Sequence, residues 1–220
     1  ASSEVTIQVA NEVFVPSNVV ACSPASTSPA ITDLEDKNLV WRTPPTDRLQ
    51  GQVLAQVASE RENASTAVTM YVNNSYGQLL SESFASAFGG TVQNQVSFPK
   101  GANSYSSQLN QALGSDPDLM VVIGYPESGV QLFRDFYTDY GETPVLVTDG
   151  LRDADLPNNV SNPMDNVSGT APLAAGPGNE YFTSEYQSEY GSEPGVFTSQ
   201  SFDSSAVCLL ANAAAGENAG

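Results

Sequence analysis

From Asp47 onward the chain alternates between helical and extended apolar patterns with short connections, and this alternation constrains the fold more than any other feature. Leu49, Val53 and Val57, with Leu54 and Ala58 beside them, form a helical stripe. A strand is predicted at 67–72, a helix at 78–88 stopped by Gly89-Gly90, a strand at 92–98 and a helix at 104–113 stopped by Gly114. The cycle repeats with a strand at 119–123, a helix from Ser128 carrying Val130, Leu132, Phe133, Phe136 and Tyr137 and ended by Gly141, and a strand at 145–147. Strands separated by single helices require crossover connections, so the expected fold is α/β with a Rossmann-like parallel sheet covered by helices on both faces.

The flanks are less regular. Residues 19–22 read as a short strand that delivers Cys22-Ser-Pro-Ala-Ser-Thr-Ser-Pro-Ala-Ile-Thr32 onto a helix start. Ser28 suits the N-cap, Pro29 suits the first helical position, and free N–H groups with the Thr27 hydroxyl can receive a carboxylate. Arg42-Thr-Pro-Pro45 and Ala174-Ala-Gly-Pro-Gly178 punctuate the chain on either side of the regular block. The expected organisation is residues 1–45 as part of one lobe, 46–174 as a second lobe of βα repeats, and 175–220 as a return to the first. Residues 151–166 look loop-rich, 169–173 extended, and 179–190 and 198–215 helical, with Phe202, Val207, Leu209, Leu210 and Ala214 as packing candidates. Cys22 and Cys208 both lie in apolar settings, which favours buried free thiols and leaves a disulfide open.

Charge excludes several functions. The 220 residues carry 25 acidic and 7 basic side chains, a formal net charge of −18, which disfavours nucleic acid and anionic membranes as partners. Carboxylates scattered among Ser, Thr, Asn and Ala match a halophilic source, where molar salt shortens the Debye length to about 3 Å; an acidic secreted protein is the alternative. The chain has no histidine, so the usual triad base and zinc ligand are missing, and two cysteines alone make no metal site. No cofactor or metal is expected. Apolar runs fall short of the ~20 residues that span a bilayer. Asn63, Asn73, Asn159 and Asn166 each open an Asn-x-Ser tripeptide compatible with a cell-surface protein.

In an open parallel sheet, ligands bind outside the carboxyl ends of the strands. Tyr76 follows the strand at 67–72, Tyr125 follows 119–123 and Asp149 follows 145–147, which puts two phenols and one carboxylate on the same edge. Each residue also has a plain structural role as a turn or packing residue. A dehydrated Asp149 needs a cation or several donors to stay charged, and a ligand ammonium would serve.

Ser2-Ser3 opening a helix, Ser23-Pro-Ala-Ser-Thr-Ser-Pro29, Trp41-Arg42-Thr43 followed by Asp47 and Gln50-Gly51, Tyr76-Gly77, Gly124-Tyr125 and Asp149-Gly150 occur in one order along nearly the whole chain. As an ordered set they resemble the type I periplasmic solute-binding proteins of the branched-chain amino acid receptor family. The resemblance implies that Ser2 or Ser3 and Thr27 hold an α-carboxylate, that the Ala25 carbonyl and Asp149 take the α-ammonium, and that Tyr76 and Tyr125 close on the ligand. It also implies an extracellular or periplasmic, membrane-anchored protein that presents an amino acid to the permease of an ABC transporter. Asp149 stands where the family often has glutamate, one methylene longer. Relative to the family pattern the chain reads as a fragment, with a nearly complete second lobe and a broken first lobe. A signalling ectodomain of the same fold is the alternative function. An α/β hydrolytic enzyme is more distant, because the sequence has no nucleophile elbow, dinucleotide fingerprint or phosphate loop.

Overall fold

The computed structural model describes residues 2–216 and divides into two compact units, Asp47–Ala171 and Ala1–Thr46 with Pro172–Gly220. The larger unit holds a five-stranded, wholly parallel sheet in the order β4-β3-β5-β6-β7. Its strands are β3 (Thr66–Val72), β4 (Thr91–Phe98), β5 (Leu119–Ile123), β6 (Val145–Val147) and β7 (Val167–Gly169). Between them run α3 (Ser75–Ala87), α4 (Ser106–Leu113), α5 (Pro126–Asp139) and the short α6 (Leu156–Val160), with α2 (Asp47–Glu60) leading in. The chain winds one way from β3 to β4 and the other way from β4 to β5. Right-handed crossovers therefore place α3 on one face and α4, α5 and α6 on the other, and α2 packs beside α3. All five residues of β5 are buried, as a central strand covered on both faces requires.

The α2 stripe is rotated from the sequence expectation. Leu54 and Ala58 are buried, but Leu49 and Val53 are 51% and 40% exposed, and the inner face is completed by Asp47, Gln50, Gly51 and Ala55. The close approach of α3 explains this. A Cβ on Gly51 would lie 2.6 Å from the Ser83 Cβ, so the helices meet at the glycine, and the larger side chains on either side of it turn outward. The strand expected at 169–173 is instead Val167–Gly169, and Leu173 is 81% exposed. The segment expected to be loop-rich contains α6.

The smaller unit pairs β1 (Ala21–Ser23) with β2 (Val40–Arg42) in parallel. Its other elements are α1 (Ser3–Val9), which runs into a π-helical turn at Ala10–Phe14, and α7 (Asn179–Tyr190) and α8 (Thr198–Ala215). A small core of Ala10, Ile31 and Val40 is flanked by Ile7, Phe14 and Leu34. The strand expected at 19–22 starts later, and Val19 and Val20 lie about half exposed ahead of it. Ser28 does cap the segment after it, accepting from the Ala30 N–H at 3.3 Å, but that segment is a single 3-10 turn, Pro29–Ile31.

Two expectations fail on α8. Cys22 and Cys208 form a disulfide, with Cα atoms 6.6 Å apart, and are not free thiols. Phe202, Val207, Leu209 and Leu210 are exposed, and the buried residues of the helix are Gln200 and Ser204. The reason is registry. Gln200, Ser204 and Cys208 recur every four residues on one face, and that face is tied down by polar and covalent links. The Gln200 carbonyl accepts from the Thr43 hydroxyl at 2.9 Å, Ser204 donates to the Cys22 carbonyl at 2.8 Å, and Cys208 bonds Cys22. Reduction, or Cys22→Ser with Cys208→Ser, is expected to destabilise this unit by about 2–5 kcal/mol and to leave the unfolding of the larger unit unchanged. Scanning calorimetry with limited proteolysis of residues 198–215 checks both halves of that expectation.

Candidate functional site

The strand order reverses beside β3, so the carboxyl ends of β3 and β5 form the switch point of the sheet. Two tyrosines stand there. Tyr76 lies in the first turn of α3, which Asn74 starts by accepting from the Gly77 N–H at 2.9 Å. Gly77 is required at that turn, since a Cβ would meet the Val72 carbonyl at 2.1 Å. Tyr125 precedes Pro126, whose fixed φ opens α5. Their rings stack with centroids 5.4 Å apart and planes inclined by 27°.

Asp149, after β6, completes the group. The Tyr76 hydroxyl donates to Asp149 Oδ1 at 3.0 Å. A phenol has one proton, so the 2.8 Å contact with Thr148 Oγ1 makes the threonine hydroxyl the donor, and the Gly150 N–H donates to Tyr76 Oη at 3.3 Å. Tyr76 is 2% exposed and Asp149 4%. Burial pushes the Asp149 carboxyl up to about 6, against the pull of hydrogen bonds from the Tyr76 and Gln50 side chains and the Asp149 and Gly150 backbone. Burial, then the nearby Asp149 and Asp47 charges, holds the Tyr76 phenol well above its ordinary range. Tyr125 is raised as well, chiefly by burial, with the Asn74 side chain opposing. Among the described residues, no lysine or arginine pairs with Asp149.

The remaining candidates belong to the smaller unit. Ser2 is the N-cap of α1 without a capping side-chain bond, and Ser3 is buried with its hydroxyl accepting from the Ser28 N–H at 3.1 Å. That N–H, expected to be free for an anion, is therefore occupied. Thr27, 1% exposed, turns its carbonyl to Arg42 Nη1 at 3.2 Å, and neither its N–H nor its hydroxyl makes a hydrogen bond among the described residues. Ala25 is half-buried. Arg42 also donates to the Ser28 carbonyl at 2.7 Å and to the Thr32 hydroxyl, so one guanidinium sets the shape of the 27–32 loop. Ser2, Ser3, Ala25 and Thr27 thus form one group in the smaller unit, and Tyr76, Tyr125 and Asp149 form another in the larger.

Sequence reasoning missed Thr148 and Gln50, and assigned Arg42 no side-chain task. Gln50 is buried on α2 and its amide donates to the Thr170 carbonyl and hydroxyl at 3.0 and 3.2 Å. Its place in Gln50-Gly51, beside a helix-contact glycine, was the available signal. Thr148 offered none beyond adjacency to Asp149.

A parallel α/β sheet with stacked phenols and a buried acid at its switch point, joined by two chain crossings to a second unit with a hydroxyl-rich turn, is the architecture of a binding protein. The family model described as periplasmic binding protein matches residues 1–220, and the chain belongs to that family. It is 32% identical over 111 residues to the chemotactic signal transduction system substrate-binding protein BasB of Halobacterium salinarum, a match covering 48% of this chain and 27% of BasB. The solved leucine-binding protein LivK of Thermotoga maritima superposes with a TM-score of 0.84 at 26% identity, covering 96% of this chain and 62% of LivK. The branched-chain amino acid transporter substrate-binding protein LivJ of Streptococcus pneumoniae, solved with isoleucine, gives 0.82 at 22% identity, covering 100% and 63%. The chain thus spans under two thirds of the length of these relatives.

Two outcomes test the site. Gly150→Ala is expected to cost about 1–3 kcal/mol in urea unfolding of the larger unit, because its Cβ would lie 2.4 Å from the Gly124 carbonyl and 3.0 Å from Tyr76 Oη. The second concerns pH. The folded value of Asp149 lies above its ordinary 3.8, so the folded chain holds the extra proton and stability falls as pH rises from about 4 to about 6, then levels off. The loss is about 3 kcal/mol. Asp149→Asn is expected to abolish that pH-dependent loss, as read from urea midpoints between pH 4 and 7.5.

Proposed function

We propose that the protein containing this chain is an extracellular solute-binding protein that captures an amino acid, branched-chain or similar, by its zwitterionic head. Asp149 takes the ammonium. Thr27, Ser2 and Ser3 take the carboxylate through hydroxyl and N–H donors, and the Ala25 carbonyl adds a second acceptor for the ammonium. Tyr76 and Tyr125 cover the ligand from the larger unit. The observation that carries this reading is the buried, phenol-bonded Asp149, with which no lysine or arginine pairs among the described residues, because its hydrogen-bond donors leave the net charge of the ionised carboxylate in place and an incoming ammonium would offset it.

Family membership supports the extracellular or periplasmic location and a role without bond making or breaking. Charge-assisted bonds contribute roughly 1.5–3 kcal/mol each, so several of them suffice for micromolar binding. Arg42-Thr-Pro-Pro45 and Ala174–Gly178 serve as hinges for closure on the ligand. The bound form docks either on the permease of an ABC transporter or on a signalling receptor, and the likeness to BasB favours keeping the second reading.

Isothermal calorimetry of the full protein in molar salt tests the assignment. Leucine, isoleucine or a near relative is expected to release heat, while the corresponding 2-oxo acid, which lacks the ammonium, is not. Affinity is expected to fall as pH drops below about 6, where Asp149 protonates. Asp149→Ala is expected to weaken binding by about 2 kcal/mol or more. Silence across the amino-acid panel, or an unchanged Asp149→Ala isotherm, rejects the proposal.

A further inference from the structure

We propose that Asn63 carries an N-linked glycan, and that of the four Asn-x-Ser tripeptides it is the one the fold leaves available as an acceptor.

The four sites have different surroundings. The Asn166 amide is fully used, because Nδ2 donates to the Gly141 and Thr143 carbonyls at 3.0 and 2.7 Å and Oδ1 accepts from the Tyr137 hydroxyl at 2.8 Å. A sugar on Nδ2 replaces one of those protons and breaks a bond that holds the entry to β6, where Val145 also donates to the Asn166 carbonyl. Asn73 is exposed, but Ser75, the third residue of its tripeptide, opens α3 with its hydroxyl buried, out of reach of a transferase that reads that group. Asn159 is exposed, but it lies inside the helical turn of α6, with its N–H on the Asp155 carbonyl and its own carbonyl accepting from Arg134, so its backbone is held where an acceptor needs an open loop.

Asn63 differs from all three. It lies three residues beyond α2 in the left-handed conformation, φ 54°, in a turn that the Ala64 N–H closes on the Ala58 carbonyl at 2.9 Å. That turn uses backbone only. The side-chain amide stands in solvent with a single long contact, 3.5 Å to the Arg61 carbonyl, and Ser65 is exposed. The tripeptide occupies the loop between α2 and β3, the setting an acceptor requires. It also leads into the amino end of β3, the sheet edge opposite Tyr76, Tyr125 and Asp149, so a bulky hydrophilic glycan there leaves the ligand edge clear. The backbone beneath it is firm, because Asp118 Oδ2 accepts from the Ser65 and Thr66 N–H groups at 2.9 and 2.8 Å.

In the transfer, Asn63 Nδ2 attacks the anomeric carbon of a polyprenyl-phosphate-linked oligosaccharide. The carbon–oxygen bond to phosphate breaks, the lipid phosphate leaves with the electron pair, and one amide proton passes to a carboxylate of the transferase. The inference draws on the extracytoplasmic location that family membership implies.

The test is glycopeptide mass spectrometry, with electron-transfer fragmentation, on protein isolated from the cells that make it. The peptide bearing Asn63 is expected to carry sugar mass that disappears in Ser65→Ala, a change that leaves the left-handed turn intact, while amino-acid affinity stays the same. Bare Asn63 in that material, or a glycan on Asn166, overturns the proposal.

Discussion

One buried carboxylate organises the larger unit. Asp149 reaches the end of β6 only because Gly150 lets the chain pass within a Cβ's breadth of the Gly124 carbonyl, and Gly124 directly precedes Tyr125. The carboxylate then fixes the Tyr76 hydroxyl, the hydroxyl orders Thr148, and the ring of Tyr76 supports that of Tyr125. Outside this chain of contacts, Lys100 stands 5.6 Å above the Tyr125 ring and pairs with Glu127 at 2.5 Å. Both partners of that pair are well exposed, so its contribution is small and falls with salt. In the proposed role, stability and recognition pull against each other: the desolvation that weakens the folded state at neutral pH is what would favour an incoming cation.

The smaller unit reaches its form by different means. Its apolar core is small, and its order rests on directional links. Arg42 holds two carbonyls and a hydroxyl of the 27–32 loop, Ser3 binds the Ser28 N–H, Thr6 and Ser26 share a hydrogen bond at 2.8 Å, and Cys22–Cys208 joins two segments separated by 186 residues. Arg42 takes the Thr27 carbonyl, while the Thr27 N–H and hydroxyl make no hydrogen bond among the described residues.

The two units were not equally legible in the sequence. In the larger one, periodicity and glycine stops located β3, β4, β5 and β6 to within a residue, though not β7, because a parallel sheet buried on both faces writes continuous apolar runs such as Leu119–Ile123. Strand ends then led directly to Tyr76, Tyr125 and Asp149. The orientation of α2 was not legible, since Gln50 and Gly51 face inward for reasons of helix approach that hydrophobicity does not record. In the smaller unit the inner face of α8 carries Gln200, Ser204 and Cys208, so an apolar criterion chose the outer face. The disulfide was left open for a related reason, as no spacing rule brings residues 22 and 208 together. The Ser-Thr-Pro turn was recognised, but that its Ser28 N–H is taken depended on Ser3, and the direction of its carbonyls on Arg42, both distant in sequence.

The central claim is that Asp149 is neutralised by the ligand's ammonium and by no group of the protein. The carbon-13 shift of its carboxyl, followed by NMR against pH without and with saturating isoleucine, tests this most directly. The account requires titration near 6 in the free protein and a displacement to well below the ordinary carboxylate range in the complex. A titration curve that isoleucine binds without moving would contradict it.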